Sequence, residues 1–404
     1  MLVSSILLTL AVAAQAVPPS SYTYTTALRS SSPLLSTSGF SEPEQHVTHD
    51  GSALCVSGIV PVAAAATNIK FDFPLPANQS QVTQAIVSQW SSGVSFPNSI
   101  TAGSHSVNGT YNIGATLCLP QGKRTGKIQV LTHGIGFDRR YWDLAPDYSY
   151  VDNAVAAGYA VFYYDRLGVG SSSKEDPITT VQSLLELEIL AELVRKLRDG
   201  CFSDHKFSTV VGVGHSFGSA LTQGITATYP SLLDAAVLTG FTVNGSGMPG
   251  FSLGQNPAIA ATNQPSRFGN LSTGYLVIDS MISTQTTFFH HPGFDSRLLV
   301  LADAIKSTVT LGEFFTTKLT AKMATVFSRP LALVSGNEDL GFCSENCSYP
   351  IDLLAETAKA LYPKIPSNMI ETYSVPLTGH GLNLHYSAGR TFKFIHEFLE
   401  RQGV

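Results

Sequence analysis

The stretch that decides the fold is Val210-Val211-Gly212-Val213-Gly214-His215-Ser216-Phe217-Gly218. An apolar, Val-rich run of strand length ends in a glycine-flanked serine, and a helical pattern opens at once, from Ser219 to Tyr229. That context suits a sharp strand-to-helix turn that lifts a serine oxygen clear of a sheet, with the two glycines leaving room for it. The bare G-x-S-x-G pattern does not discriminate, because Gly250-Phe251-Ser252-Leu253-Gly254 matches it too. Ser252 has no strand before it and runs into Gln255-Asn256-Pro257, so Ser216 is the candidate nucleophile.

Working outward, the same rhythm repeats. Ile128 to Leu131 is a short apolar run ending in His133-Gly134-Ile135-Gly136, and Tyr159 to Tyr164 ends in Asp165-Arg166-Leu167-Gly168-Val169-Gly170. Leu184, Leu187, Leu190, Ala191, Val194 and Leu197 recur at three- and four-residue steps, which predicts an amphipathic helix over 180–198. Further strands are expected at 234–240, 330–335 and 370–375, with helices at 351–361 and 388–401. Alternating apolar strands and amphipathic helices imply an α/β fold with a mostly parallel sheet covered on both faces. Before this series, 52–72 and 109–120 read as strands with a helix near 81–90, and residues 17 to about 50 as an irregular lead-in. Residues 243–325 interrupt the rhythm and are too long for a bare loop, so they read as an inserted cap or lid.

A serine hydroxyl is a poor nucleophile near neutral pH and needs a base, which an acid must orient. The strand after the insertion ends in Gly336-Asn337-Glu338-Asp339, offering two acids. The last strand is followed by Thr378-Gly379-His380-Gly381, offering His380 as base. An acyl-transfer oxyanion needs two preorganised N–H donors. Phe217, at the start of the elbow helix, supplies one, and the loop His133–Gly136 the other, with Ile135 the expected donor. His133 itself is expected to bond loop backbone, and 165–171 to be a tight loop at the sheet edge. His385 and His396 are expected on the surface of the final helix.

Taken together, these motifs over 109–400 resemble the α/β-hydrolase superfamily, in particular lid-bearing serine esterases. The resemblance implies an eight-stranded, mostly parallel sheet. It also implies a triad in chain order of Ser216, Asp339 and His380, its usual strand-to-acid spacing favouring Asp339 over Glu338. Relatives that open epoxides or remove halide carry Asp at the elbow, and Ser at 216 argues against those reactions. The implied organisation is a leader at 1–16, an N-terminal extension at 17–108, core segments at 109–242 and 326–404, and the insertion at 243–325.

Composition agrees. The 404 residues carry 24 Lys+Arg and 29 Asp+Glu, a net charge of −5, and only 13% are charged, about half the usual quarter. Disorder is excluded by that hydrophobic balance, and nucleic-acid binding is disfavoured by the lack of a basic surplus. Leu2 to Ala16 is too short to span a bilayer and ends in a small-x-small pattern at Ala14-Gln15-Ala16, although its start has no Lys or Arg. It reads as a secretion signal, so a secreted protein without a membrane span is expected. Five glycosylation sequons, at Asn78, Asn108, Asn244, Asn270 and Asn346, suit that reading. Of five cysteines, Cys55 with Cys118 and Cys343 with Cys347 are possible pairs, leaving Cys201.

No cofactor and no metal are expected. Gly168-Val169-Gly170 lacks the third glycine of a dinucleotide fingerprint, and adjacent His290-His291 seldom ligate one ion. Four acids scattered through the insertion disfavour a peptidase that reads free amino termini, and its eight aromatics suit an apolar or aromatic small-molecule ester as substrate. The expectation is a secreted carboxylic ester hydrolase. Acyl transfer, amide or C–C cleavage with the same triad, or a ligand-binding pseudoenzyme, are the alternatives.

Overall fold

The computed structural model describes residues 35–91, 95–122 and 124–404. The expected leader at 1–16 and most of the lead-in lie outside the described residues. Strands, numbered in chain order, are β1 (Ser41–Val47), β2 (Ala53–Phe71), β3 (Thr101–Pro120), β4 (Lys127–Thr132), β5 (Ala160–Tyr164), β6 (Thr209–His215), β7 (Ala235–Thr239), β8 (Pro257–Ile259), β9 (Tyr275–Ile278), β10 (Val309–Thr310), β11 (Leu331–Gly336) and β12 (Ile370–Val375).

Nine of them form one sheet in the order β1-β2-β3-β5-β4-β6-β7-β11-β12. From β5 to β12 every neighbouring pair is parallel, whereas β1, β2 and β3 join antiparallel at one edge. The expected eight strands are therefore nine. The extra one is β1, drawn from the lead-in: Ser41–Val47 shows no apolar alternation because it is an edge strand exposed or half-buried throughout. The hairpin of β2 and β3 is also longer than its apolar pattern suggests. β3 begins at Thr101, so the expected boundary at 109 falls inside a strand.

The helices follow the sequence pattern. Ser183–Asp199 buries Leu187, Leu190, Val194 and Leu197 and ends at Gly200, whose φ of 80° supplies a left-handed cap. The elbow helix Phe217–Thr228 is buried on nearly every side, which explains why it carries no charge. Ala388–Arg401 lays Phe392, Ile395, Phe398 and Leu399 against the opposite side of the sheet. Residues 243–325 hold several short helices and a second antiparallel sheet in the order β10-β9-β8.

Disulfides join Cys55 to Cys118, directly opposed on β2 and β3, and Cys343 to Cys347, with Cys201 free and exposed. No helix among the described residues is long and apolar enough to cross a membrane. Four of the five sequon asparagines, all but half-buried Asn244, are exposed.

Candidate active site

Ser216 sits where β6 meets the elbow helix, with φ 56° and ψ −119°. A non-glycine residue held there costs on the order of 1–3 kcal/mol, which the surrounding structure must offset. The motif's glycines permit it by close approach. A Cβ on Gly214 would lie 2.4 Å from the Gly218 carbonyl oxygen, and one on Gly218 would lie 2.0 Å from that of Thr132. Both obstacles are backbone and cannot step aside. Ser252, the other match, lies within the helix Met248–Gly254 and is no elbow, yet it is buried and lines the same cavity as Ser216.

The expected base and acid come together. His380 Nδ1 donates to Asp339 Oδ2 at 2.7 Å, and both side chains are 0% exposed. The second oxygen, Oδ1, accepts the Phe342 N–H at 2.9 Å, so the carboxylate is held at both ends. Glu338 does something else: its Oε2 accepts the Thr378 N–H at 2.9 Å and thereby holds the backbone of the base loop. His380 Nε2 is buried and makes no hydrogen bond to any described residue, Ser216 Oγ included. Around the His380 ring stand Phe251, Phe288, Phe342 and His215, with ring centroids 4.8, 5.4, 5.7 and 4.9 Å away.

Ile135 and Phe217 both line the cavity beside Ser216, and neither N–H bonds to another described residue. Phe217 is the first residue of the elbow helix, where an N–H has no intrahelical acceptor. His133 behaves as a structural residue. Its Nδ1 donates to the Gly134 carbonyl at 2.8 Å, its Nε2 accepts the Arg166 N–H at 3.0 Å, and burial pushes its pKa down to about 3. The loop after β5 is tied down by Asp165, which accepts from Arg139 N–H, Arg139 Nη1 and Ser171 N–H at 3.0, 2.8 and 2.8 Å.

Several residues at the site carry no sequence signal. Arg166 is fully buried, ion-paired to Glu186 and to Glu313 of the insertion, and its guanidinium lies 4.7 Å over the Phe217 ring. Its partners stand 20 and 147 residues away, so no local pattern announces them. Burial and the neighbouring carboxylate of Glu313 drive Glu186 well above the usual carboxylate range, against the pull of Arg166.

His385 and His396 are not surface residues. His396 lies on the buried face of the final helix, and His385 precedes that helix and is enclosed. A three- to four-residue apolar period places a helix but cannot tell a buried histidine from an exposed one. His290 Nδ1 lies 3.3 Å from Glu345 Oε2. Among the described residues no group of three or more His, Cys, Asp or Glu is placed to hold a metal ion.

The cavity beside Ser216 has a volume of about 410 Å³. Phe241, Met248, Phe251, Phe314, Phe342 and Leu361 give it an apolar wall, and exposed Val243, Gly245 and Lys318 mark where it meets solvent. Met248, Phe251 and Phe314 belong to residues 243–325, which thus contribute to the cavity directly.

A nine-stranded, mostly parallel sheet with a serine at its strand-to-helix elbow defines the class, and comparison with known proteins names it. The sequence model of the alpha/beta hydrolase family matches residues 129–392, well over half the chain, and the chain belongs to that family. No curated protein matches the sequence. Among solved structures it is similar to a monoacylglycerol lipase from Paleococcus ferrophilus, at 14% identity over 72% of this chain and 99% of that one, TM-score 0.49. A thermophilic esterase from Thermogutta terrifontis is similar at 16% identity over 72% and 95%, TM-score 0.45. An epoxide hydrolase from Vigna radiata is similar at 13% over 72% and 95%, TM-score 0.47. Likenesses this distant carry no argument about substrate.

Proposed function

We propose that this chain is a secreted serine hydrolase that cleaves carboxylic esters of apolar or aromatic small molecules through an acyl-enzyme. The observation that carries the reading is the fully buried hydrogen bond from His380 to Asp339, in a site whose serine is held at positive φ. A buried carboxylate on Nδ1 fixes the imidazole tautomer that leaves Nε2 free to take a proton.

In this reading the Ser216 hydroxyl turns to His380 Nε2, gives up its proton there and attacks the ester carbonyl. The oxyanion is met by the N–H groups of Ile135 and Phe217, each worth roughly 3–4 kcal/mol of barrier. His380 then returns the proton to the departing alcohol, and the acyl group stays on Ser216 Oγ. A water molecule, deprotonated by His380, attacks the acyl-enzyme, releases the acid and restores the serine.

The insertion acts as the roof of the pocket, and the aromatic and aliphatic wall favours an apolar acyl or aromatic group. The Ala14-Gln15-Ala16 leader pattern, four exposed sequons and two disulfides support export, since disulfides persist in oxidising compartments.

A fluorophosphonate probe tests the nucleophile directly. Stoichiometric labelling that peptide mass spectrometry maps to Ser216, and that boiling or Ser216→Ala abolishes, is the expected result. A folded protein that takes no label, or takes it elsewhere, would overturn the assignment and favour a ligand-binding descendant.

A further inference from the structure

The most fully bonded histidine near the site is one that the mechanism above does not use. His385 is 0% exposed, and both ring nitrogens are engaged with backbone. Its Nδ1 donates to the Gly381 carbonyl at 2.8 Å. Its Nε2 accepts two N–H groups, from Gly379 at 3.1 Å and from His290 at 3.0 Å. Gly379 and Gly381 flank His380 on either side. His290 belongs to the insertion.

We propose that His385 is a positioning residue: it clamps the backbone on both sides of His380 and locks the 288–293 turn of the insertion to the base loop. The proposal rests on the reading of His380 as base. Two more bonds join the same segments, Gly381 N–H to the Phe288 carbonyl at 2.8 Å and Tyr386 N–H to the Gly293 carbonyl at 2.9 Å. The packing leaves no slack, since a Cβ on Gly379 would lie 3.0 Å from His290 N and one on Gly293 would lie 1.9 Å from the Leu377 carbonyl oxygen.

The ring has to be neutral to do this. A protonated Nε2 would point a third N–H at two others. Burial is the main force holding its pKa down, to about 4, with His290 lowering it further and the Gly381 bond and Glu338 raising it. The rings of Phe289 and Phe294, at 5.7 and 6.2 Å, enclose it. The base loop and this edge of the roof are thereby bonded to one another.

The test uses three variants of the full chain and p-nitrophenyl esters. His385→Phe removes all three bonds, His385→Gln keeps an acceptor for the two N–H groups, and His385→Asn keeps a donor for Gly381. A base displaced by a fraction of an ångström to 1 Å costs up to about 100-fold in rate. The expected result is a 10- to 100-fold fall in kcat for the Phe variant with KM within about twofold, and a smaller fall for Gln and Asn. The acid limb of the kcat–pH profile should move in all three.

Folded variants with wild-type kcat and an unmoved acid limb overturn the proposal, as does a loss confined to KM. If the Phe variant does not fold, the Gln and Asn variants decide by the same criteria. A wild type that hydrolyses no ester and takes no phosphonate would instead sink the underlying reading.

Discussion

Asp339 and Glu338 are adjacent, both are acids, and only Asp339 hydrogen-bonds the His380 ring. Asp339→Asn would turn its amide N–H toward Nδ1, forcing the imidazole proton to Nε2, where it cannot accept the serine proton. The expected cost is roughly 10⁴-fold in kcat. Glu338→Gln can still accept the Thr378 N–H and should stay within about tenfold of wild type, because it touches base-loop backbone and not the ring. Steady-state kinetics on the two variants, side by side, separates the roles. Equal losses would contradict them. The two candidates share the same strand end and the same chemistry, so residue pattern alone left both open. What divides them is a single turn, in which Asp339 also caps the helix Leu340–Cys343.

Among elements, the most consequential contact joins the loop after β5, the helix Ser183–Asp199 and the helix Leu311–Thr316 of the insertion. Arg166 supplies one cation to two buried carboxylates. Arg166→Met would strand the carboxylate of Glu313 and drive Glu186 still further toward its neutral form, and breaking a buried pair from one side costs about 3–5 kcal/mol. Urea unfolding should show that loss, and adding Glu313→Gln, which can still accept the Thr310 N–H, should restore part of it. No loss in Arg166→Met would mean the cluster is not holding these elements together.

The elements themselves were readable because their residues alternate between core and solvent with the period of a helix or fill a buried strand. The exceptions have physical causes. β1 is an exposed edge whose pairing comes from backbone alone, and the outer half of β3 is mostly exposed and carries Ser, His and Asn where a core strand would carry Val. The insertion's small sheet has strands of two to four residues, too short for any period to register.

At the scale of the whole molecule, buried neutral histidines tie stability to pH. His396 faces the Tyr150 and Tyr159 rings, its Nε2 has no partner among the described residues, and burial lowers its pKa from 6.5 to about 4. Above pH 6.5 the ring is neutral folded or unfolded and the effect is absent. As pH falls from 6.5 toward 4, the unfolded chain takes up the proton first and stability is lost. His396→Phe removes that linkage, so its stability relative to wild type should improve by about 2–3 kcal/mol between pH 7 and pH 4.5. Denaturant melts at the two pH values check it. A constant difference would show that His396 does not titrate as argued.

The molecule-wide arrangement also explains how far the sequence reached toward the site. Ser216, Phe217, Ile135 and His380 could be named from the sequence as candidates because each follows a strand end, where local pattern and chemistry coincide. The buried placement of His385 and of the Arg166 cluster could not be read there, because their hydrogen bonds and ion pairs join segments that are far apart in sequence and close only in the fold.

A serine esterase built on Ser216 should first be assayed by p-nitrophenyl ester hydrolysis, from acetyl to long acyl chains, with the wild-type protein and Ser216→Ala in parallel. The wild type should turn over, with an optimum set by the 410 Å³ cavity, and a variant that melts like the wild type should show nothing above background. Turnover that survives Ser216→Ala would contradict it.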